Sequence, residues 1–353
     1  MNLREIFTPA EIAANWTEVY SNQIPYLGAG LFPARKKAGL DLSWFKGASG
    51  LPVSLMPSTF DAQATFRDRI GLNKLETEMP FFREGFKIKE KDRQELLRIS
   101  ESGDPYAEAI IARLYDDANE LIAGADVVAE RMRMQLLFPA LGNLGISIKA
   151  NGVDYTYNYD PDGSWKTNNY TALSGTALWS AAATADPFTD IETVQNTIRN
   201  RTGAELTTVV MNGTTFNLLA KMDAVKNRFL STAGITTGYI TRNDVKAVVR
   251  DVLGTEIAVY DKMYRNENKV AAKYVPDGYV ALIPAGAIGA TWYGTTPEEA
   301  DGASAPMDVA IVNTGVAVSR IVEPHPVNVN TIASEIVLPS YERADEVALL
   351  KVL

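Results

Sequence analysis

One stretch constrains this chain more than any other. Asp104 is a natural N-cap with Pro105 at the first helical position. Apolar residues then recur at Ile110, Ile111, Leu114, Ala118, Leu121, Ile122, Ala125, Val128, Met132 and Leu136. Their steps of one, three and four make an amphipathic stripe, and Glu108, Arg113, Asp117, Glu120, Asp126, Glu130 and Arg133 cover the other faces. Pro139 stops the pattern after Phe138. At 1.5 Å per residue the predicted helix is about 50 Å long, which few compact α/β domains contain. It needs a layer to lie on. The segment from Gly145 to Tyr159 is expected to supply one, because it alternates on both sides of Asn151-Gly152, a strong short hairpin signal.

The chain before this helix looks unable to enclose itself. Thr8-Pro9-Ala10-Glu11 opens a short helix, with Thr8 as N-cap. Ile24 to Pro33 is then apolar but broken by Pro and Gly, an irregular strap that buries against its own domain or a neighbour. Pro52 to Met56 and Thr65 to Arg69 have strand character, and Phe81 to Lys89 alternates apolar with charged residues. A polar stretch, Gly71 to Glu78, separates them. Such an excursion is either a hairpin standing off the body or the edge sheet of a domain.

After the helix and hairpin, residues 161–185 are rich in Ser, Thr, Ala and Gly and read as a connection. Helix and strand then alternate. Asp186-Pro187 opens a helix ending before Gly203, Leu206 to Met211 is a buried strand, and Thr214 to Met222 is a helix. Thr241 with Asp244 forms a capping box for a helix ending at Gly254. Strands are predicted at Glu256–Tyr260, Tyr279–Ile283, Ala287–Tyr293, Val309–Val312 and Gly315–Val322. The tail, residues 326–353, alternates again and suits strands returning to the sheet beneath the long helix.

Chemistry is sparse. There is no cysteine, hence no disulfide, thiolate nucleophile or cysteine-held zinc. The one histidine, His325, sits between two prolines with no serine partner beside it. Gly28-Ala29-Gly30 continues into Leu31-Phe32-Pro33, without the third glycine of a dinucleotide loop, and no Walker loop occurs. Asp160-Pro161-Asp162-Gly163 lacks the spaced acids of a calcium loop and reads as a turn. Asp116-Asp117 and Glu298-Glu299 read as solvated faces. With 34 basic and 43 acidic residues the net charge is −9, which disfavours gripping a phosphate backbone and is compatible with a wall around DNA. No metal, cofactor or catalytic group is expected. No window resembles a signal peptide or a membrane span, so a soluble protein made in the cytosol is expected.

The order of arm, strand-rich excursion, long helix, sheet, α/β domain and returning strands resembles the Hong-Kong-97-type capsid fold of tailed-phage major capsid proteins. The similarity is to the lambda-like major capsid protein family. It is carried by Pro80-Phe81-Phe82-Arg83-Glu84-Gly85 with Asp92-Arg93-Gln94-Glu95-Leu96-Leu97, Ile146 to Tyr159, Thr202-Gly203-Ala204-Glu205 leading to Val209-Val210-Met211, and Ser340 to Leu353. The resemblance implies an α+β fold with residues 1–48 as an N-terminal arm and 49–90 as an extended loop. Residues 91–185 and 326–353 would form a peripheral domain carrying the spine helix, and 186–325 an axial domain. It implies a structural subunit of an icosahedral head, assembling with itself into hexamers and pentamers around DNA held without sequence-specific contacts. It further implies scaffolding, supplied by a separate protein or before processing, together with a portal and a possible decoration protein. Its place would be the virion, after synthesis in the host bacterial cytoplasm. Lys74, Lys87 and Lys89 lie where some relatives crosslink, but no motif singles them out.

The charges of the extended loop, chiefly Arg67, Arg69, Arg83, Glu84, Lys87 and Lys89, exceed what one subunit needs for solubility and are expected to meet a neighbour. On that view, reversing Arg83 and Lys87 leaves the subunit's own stability nearly unchanged. Two other classes fit the pattern less well. An α/β enzyme or ligand-binding protein would need a site that no motif reveals, and a tail-tube subunit would be built mainly of strands.

Overall fold

The computed structural model describes residues 8–20, 25–46, 73–90, 94, 106–150, 152–233, 240–302, 307–323, 325 and 328–353. In chain order the elements begin with α1 (Pro9–Tyr20), α2 (Leu27–Leu31), β1 (Ala34–Lys36), β2 (Asp41–Lys46), β3 (Asn73–Glu78), β4 (Phe81–Ile88) and α3 (Tyr106–Leu137). Then come β5 (Gly145–Ala150), β6 (Val153–Asn158), α4 (Ser164–Asn169), β7 (Tyr170–Ala172), α5 (Pro187–Thr202), β8 (Leu206–Met211), α6 (Gly213–Lys221), α7 (Asp223–Ala233) and α8 (Arg242–Leu253). The last are β9 (Glu256–Val259), β10 (Met263–Arg265), β11 (Ala271–Lys273), β12 (Tyr279–Pro284), β13 (Ala290–Tyr293), α9 (Pro297–Asp301), β14 (Met307–Val312), β15 (Val316–Val322), β16 (Val329–Ser340) and β17 (Ala348–Lys351). The predicted strands Pro52–Met56 and Thr65–Arg69, and the N-cap Asp104, lie outside the described residues. The polar stretch before Pro80 contains a strand: β3 pairs with β2 in a two-stranded ribbon.

The chain divides into two compact units. The first comprises residues 1–42, 76–132 and 290–340. Its sheet runs β1-β13-β16-β15-β14, with β4 also on β16. The twelve-residue β16 holds this sheet together. One edge pairs with β15, and the other takes β4 along Val329–Ile336 and β13 along Val337–Ser340. One face of the sheet carries the helices. Ile12 and Trp16 of α1 and Ala118, Leu121 and Ile122 of α3 form a core with Ile88, Val312, Val316, Val318, Val329 and Ala333. The sheet residues alternate because strand side chains alternate faces, and the α3 residues recur at helical spacing. Burying a Leu or Ile there contributes about 1.5–3 kcal/mol. The β14–β15 turn puts Asn313 in the left-handed region at φ 52°, and its side-chain amide donates to the Asp126 carboxylate of α3.

The second unit comprises residues 43–75, 133–289 and 341–353. Its sheet runs β7-β17-β12-β8-β9, with β8 parallel to β9, β17 parallel to β7 and the other pairs antiparallel. Ile191, Val194 and Ile198 of α5, Phe216 and Leu219 of α6, Val225 of α7, and Val245 and Val249 of α8 pack with the sheet's Val209, Met211, Val280, Leu282 and Leu350. The helix ends follow local rules. Asp186 caps α5 from its side chain, Thr241 and Asp244 form the capping box of α8, and Gly203 and Gly254 close these helices at φ 77° and 68°.

Four expectations need correction. The layer under the middle of α3 is the β4/β13–β16 sheet. The β5–β6 segment is a separate two-stranded hairpin in the second unit, beside the last turn of α3 where Gln135 bonds to Ser147. The tail divides: β16 returns to the first sheet, but β17 pairs with β12 and β7 in the second. Residues 186–325 likewise divide, because β13, β14 and β15 belong to the sheet that β16 organises. The alternation of strands marks their faces but does not choose their partners. The supposed connection 161–185 also does more than connect. Trp165 and Trp179 are fully buried within it, and the Trp165 indole donates to the Ala344 carbonyl at 2.9 Å.

Candidate assembly surface

β4 carries four of the six charged residues singled out above or stands next to them; Arg67 and Arg69 lie outside the described residues. The strand is antiparallel to β16, with Ala333 opposite Glu84 and Val329 opposite Ile88. Directly paired residues share a face, so Phe82, Glu84, Phe86 and Ile88 lie on the helix-bearing face and Phe81, Arg83, Gly85 and Lys87 on the other.

The second face is polar and committed to the chain itself. Arg83 forms an ion pair with Glu298 of α9 and stacks 4.6 Å above the Phe81 ring. The Glu298 side chain is only 7% exposed, and its other oxygen accepts from the Ser334 hydroxyl at 2.9 Å. Next to it, Glu299 pairs with Lys36 of β1. Near the far end of β4, Lys87 donates to Glu323 at 2.8 Å, and the amides of Asn328 and Asn330 donate to the same carboxylate at 3.0 and 2.8 Å. Lys87 first, then the two asparagines, hold Glu323 far below the usual carboxylate range, at about 2. Reversing Arg83 and Lys87 would therefore break ties inside the subunit, contrary to the expectation from sequence. The reading of Glu298-Glu299 as a solvated face is also corrected, since Glu298 is buried under a cation brought from β4.

The helix-bearing face differs. Ile88 enters the core, while Glu84 is exposed and Phe86 is 39% exposed. Lys89 follows the strand and is exposed. Phe86 was not singled out in the sequence. Its position opposite Thr331, on the strand's helix-bearing face beside Glu84, is what marks it.

Elsewhere the polar groups serve the fold. A cavity of about 590 Å³ is lined by Gln135, Ile146, Ser147, Tyr157, Asp160 and Lys166 among others. Its carboxylate, Asp160, accepts from the backbone N–H groups of Trp165 and Lys166 at 2.9 and 3.0 Å, and Lys166 donates to Asn143. These groups are occupied in closing a turn. Asp190 is raised above the usual carboxylate range, chiefly by burial, with the Trp179 indole donating to it. No group of three metal-ligating side chains occurs among the described residues, and His325 stands exposed. No described helix is long and apolar enough to cross a membrane.

Solved structures share this fold over nearly the whole chain. A phage-related protein from Bordetella bronchiseptica RB50 matches at 14% identity over 98% of this chain and 97% of its own, with a TM-score of 0.56. The capsid of cyanophage A-1(L) matches at 13% identity, covering 93% and 92%, with a TM-score of 0.52. The mature capsid of bacteriophage PhiM1 matches at 11% identity, covering 93% and 87%, with a TM-score of 0.50. No curated protein matches in sequence. These likenesses define the fold: the Hong-Kong-97-type fold of phage capsid proteins. The chain belongs to the phage major capsid protein E family, whose model matches residues 8–352. Its role is structural and not enzymatic, it assembles with itself into a shell, and its place is the virion.

Proposed function

We propose that the shell is an icosahedral head built from hexamers and pentamers of this subunit, enclosing double-stranded DNA without sequence-specific contacts. Residues 1–48 act as the arm and 49–90 as the extended loop; α1 and β1 of the arm and β4 of the loop pack within the subunit, and other parts of each segment reach a neighbour. The peripheral and axial roles expected for 91–185 with 326–353, and for 186–325, pass to the two compact units: the first is peripheral and the second axial. Assembly uses a separate scaffolding protein, a portal occupies one vertex, a decoration protein can add to the outside, and the subunit is made in the host cytoplasm. Of the loop charges Arg67, Arg69, Arg83, Glu84, Lys87 and Lys89, Glu84 is offered to a neighbour from β4, with Arg83 and Lys87 setting that strand on the sheet, and Arg67, Arg69 and Lys89 are proposed to meet the same neighbour.

The observation that supports this reading is β4. It is an eight-residue strand on one side of β16 that presents Glu84 and the apolar Phe86 outward, in a chain whose family builds shells. An exposed strand of this kind invites pairing with another chain. The test is electron microscopy of the full chain, expressed alone and with the scaffolding protein of the same phage. Closed shells with six- and five-fold clusters are expected. A compact monomer at all concentrations, with residues 1–90 resistant to protease, would overturn the reading.

A further inference from the structure

The adjacent acids of α9 each receive a cation from a different strand. Lys36 comes from β1 and Arg83 from β4, the strands that precede β2 and follow β3 in the chain. Thr296 caps the turn, accepting from the Glu299 N–H, and is itself fully buried. Neither Glu298 nor Glu299 belongs to the apolar core of the first unit. Glu298 also ties to β16 through Ser334, so one carboxylate joins the central strand to β4. At mid-strand Gly85 lies against β16 so closely that an added Cβ would stand 2.9 Å from the Thr331 carbonyl oxygen. β4 is thus pressed to the sheet at its centre and pinned by charge on one face.

We infer that Glu298 is a positioning residue for assembly. It fixes β4 on β16 through Arg83 and so sets the line along which Glu84 and Phe86 are offered to the neighbouring subunit. This rests on the reading of β4 given above. A buried carboxylate that loses its cation cannot stay in place cheaply, so the pin acts as a unit: removing either partner releases the strand. The apolar core under α3 contains Ile88 from the end of β4 but neither Arg83 nor Glu298, so its other members keep the subunit folded when the pin is lost.

The test uses the full chain with Glu298→Gln, Arg83→Gln, both together, and Arg83→Lys as the conservative variant. Hydrogen exchange of the free subunit is measured at residues 81–88 and at 206–211. Each single neutral variant should speed exchange at 81–88 by about tenfold while leaving 206–211 unchanged. The double variant should be no faster than the singles, and Arg83→Lys should restore most of the protection. In assembly reactions the neutral variants should give several-fold fewer closed shells by sedimentation, or shells of mixed diameter by microscopy. Wild-type protection at 81–88 in both single variants, or effects that multiply in the double, would overturn the anchor. Faster exchange with shells of normal yield and diameter would overturn the positioning role. If even the wild type forms no shells, the assembly reading fails while the exchange data still decide the anchor.

Discussion

The side-chain amide of Gln135 in α3 pairs with the main chain of Ser147 in β5 as a strand would. It donates to the Ser147 carbonyl at 3.1 Å and accepts from the Ser147 N–H at 3.0 Å. A primary amide presents the same donor and acceptor as a peptide group, so one side chain serves the outer edge of a two-stranded hairpin at that residue. Gln135→Ala should lower stability by about 1 kcal/mol, the net worth of exposed hydrogen bonds lost without burying a charge. Gln135→Glu should lose the donated bond and keep no more than part of the effect. Urea unfolding, with hydrogen exchange at Ser147, measures both. Unchanged exchange at Ser147 in the alanine variant would refute the clamp.

Leu121 and Ile122 lie in the core under α3 at 8% and 0% exposure. Leu121→Ala should cost about 2–5 kcal/mol, the loss of transfer energy plus a cavity. Leu121→Asp should prevent folding, because the carboxylate would be buried without a partner. Thermal unfolding and soluble yield read the two outcomes. A Leu121→Asp chain that folds and assembles normally would mean that this stripe does not face the sheet.

The Lys87 and Glu323 pair predicts a pH signature. The folded carboxylate titrates near 2 against an ordinary 4.5, so its contribution is present in full above pH 4.5 and is lost as pH falls toward 2. Both side chains are partly exposed, and screening by solvent keeps the effect small. Lys87→Met should flatten stability against pH between 4.5 and 2 relative to the wild type, and added salt should do the same in part. Denaturant titrations across that window test it, and parallel curves for the two proteins would count against the tie.

Gly315, just before β15, leaves no room for a side chain. A Cβ there would lie 2.5 Å from the Cβ of Tyr293, which is itself buried on β13. Gly315→Ala should therefore displace Tyr293 and lower the melting temperature, at a cost of about 1–3 kcal/mol as for other overpacked sites. A melting temperature equal to the wild type's would show that the strands can part without penalty.

The charges of β4 should now separate by face. Arg83→Glu places a second carboxylate against buried Glu298 and should reduce subunit stability. Glu84→Lys touches neither tie and should leave melting nearly unchanged while altering shell yield. Sedimentation beside thermal unfolding distinguishes these. Equal melting for the two variants would contradict the pairing, and a yield that follows only the folded fraction would remove Glu84 from the assembly surface.

Local chemistry sufficed for much of this protein. The stripe from Ala118 to Leu136 and the stop at Pro139 define α3, because helical periodicity and a proline act within a few residues. The same holds for the cap of Asp186 and Pro187, the capping box of Thr241 and Asp244, the buried run Leu206–Met211 and the hairpin flanking Asn151-Gly152. The order of these elements was enough to point to the capsid family. Tertiary structure alone decided which strands meet. It joined β16 to β4, β13 and β15, sent β17 to the other sheet, and buried Trp165 and Trp179 in what read as a connection. It also turned the acids Glu298 and Glu299 from a solvated pair into an anchor. A charge is solvated or buried according to what the fold brings beside it, and Lys36 reaches Glu299 across 263 positions of sequence. Periodicity reports only which face a residue takes. The choice of partner depends on packing and desolvation summed over the whole sheet, which no local window contains.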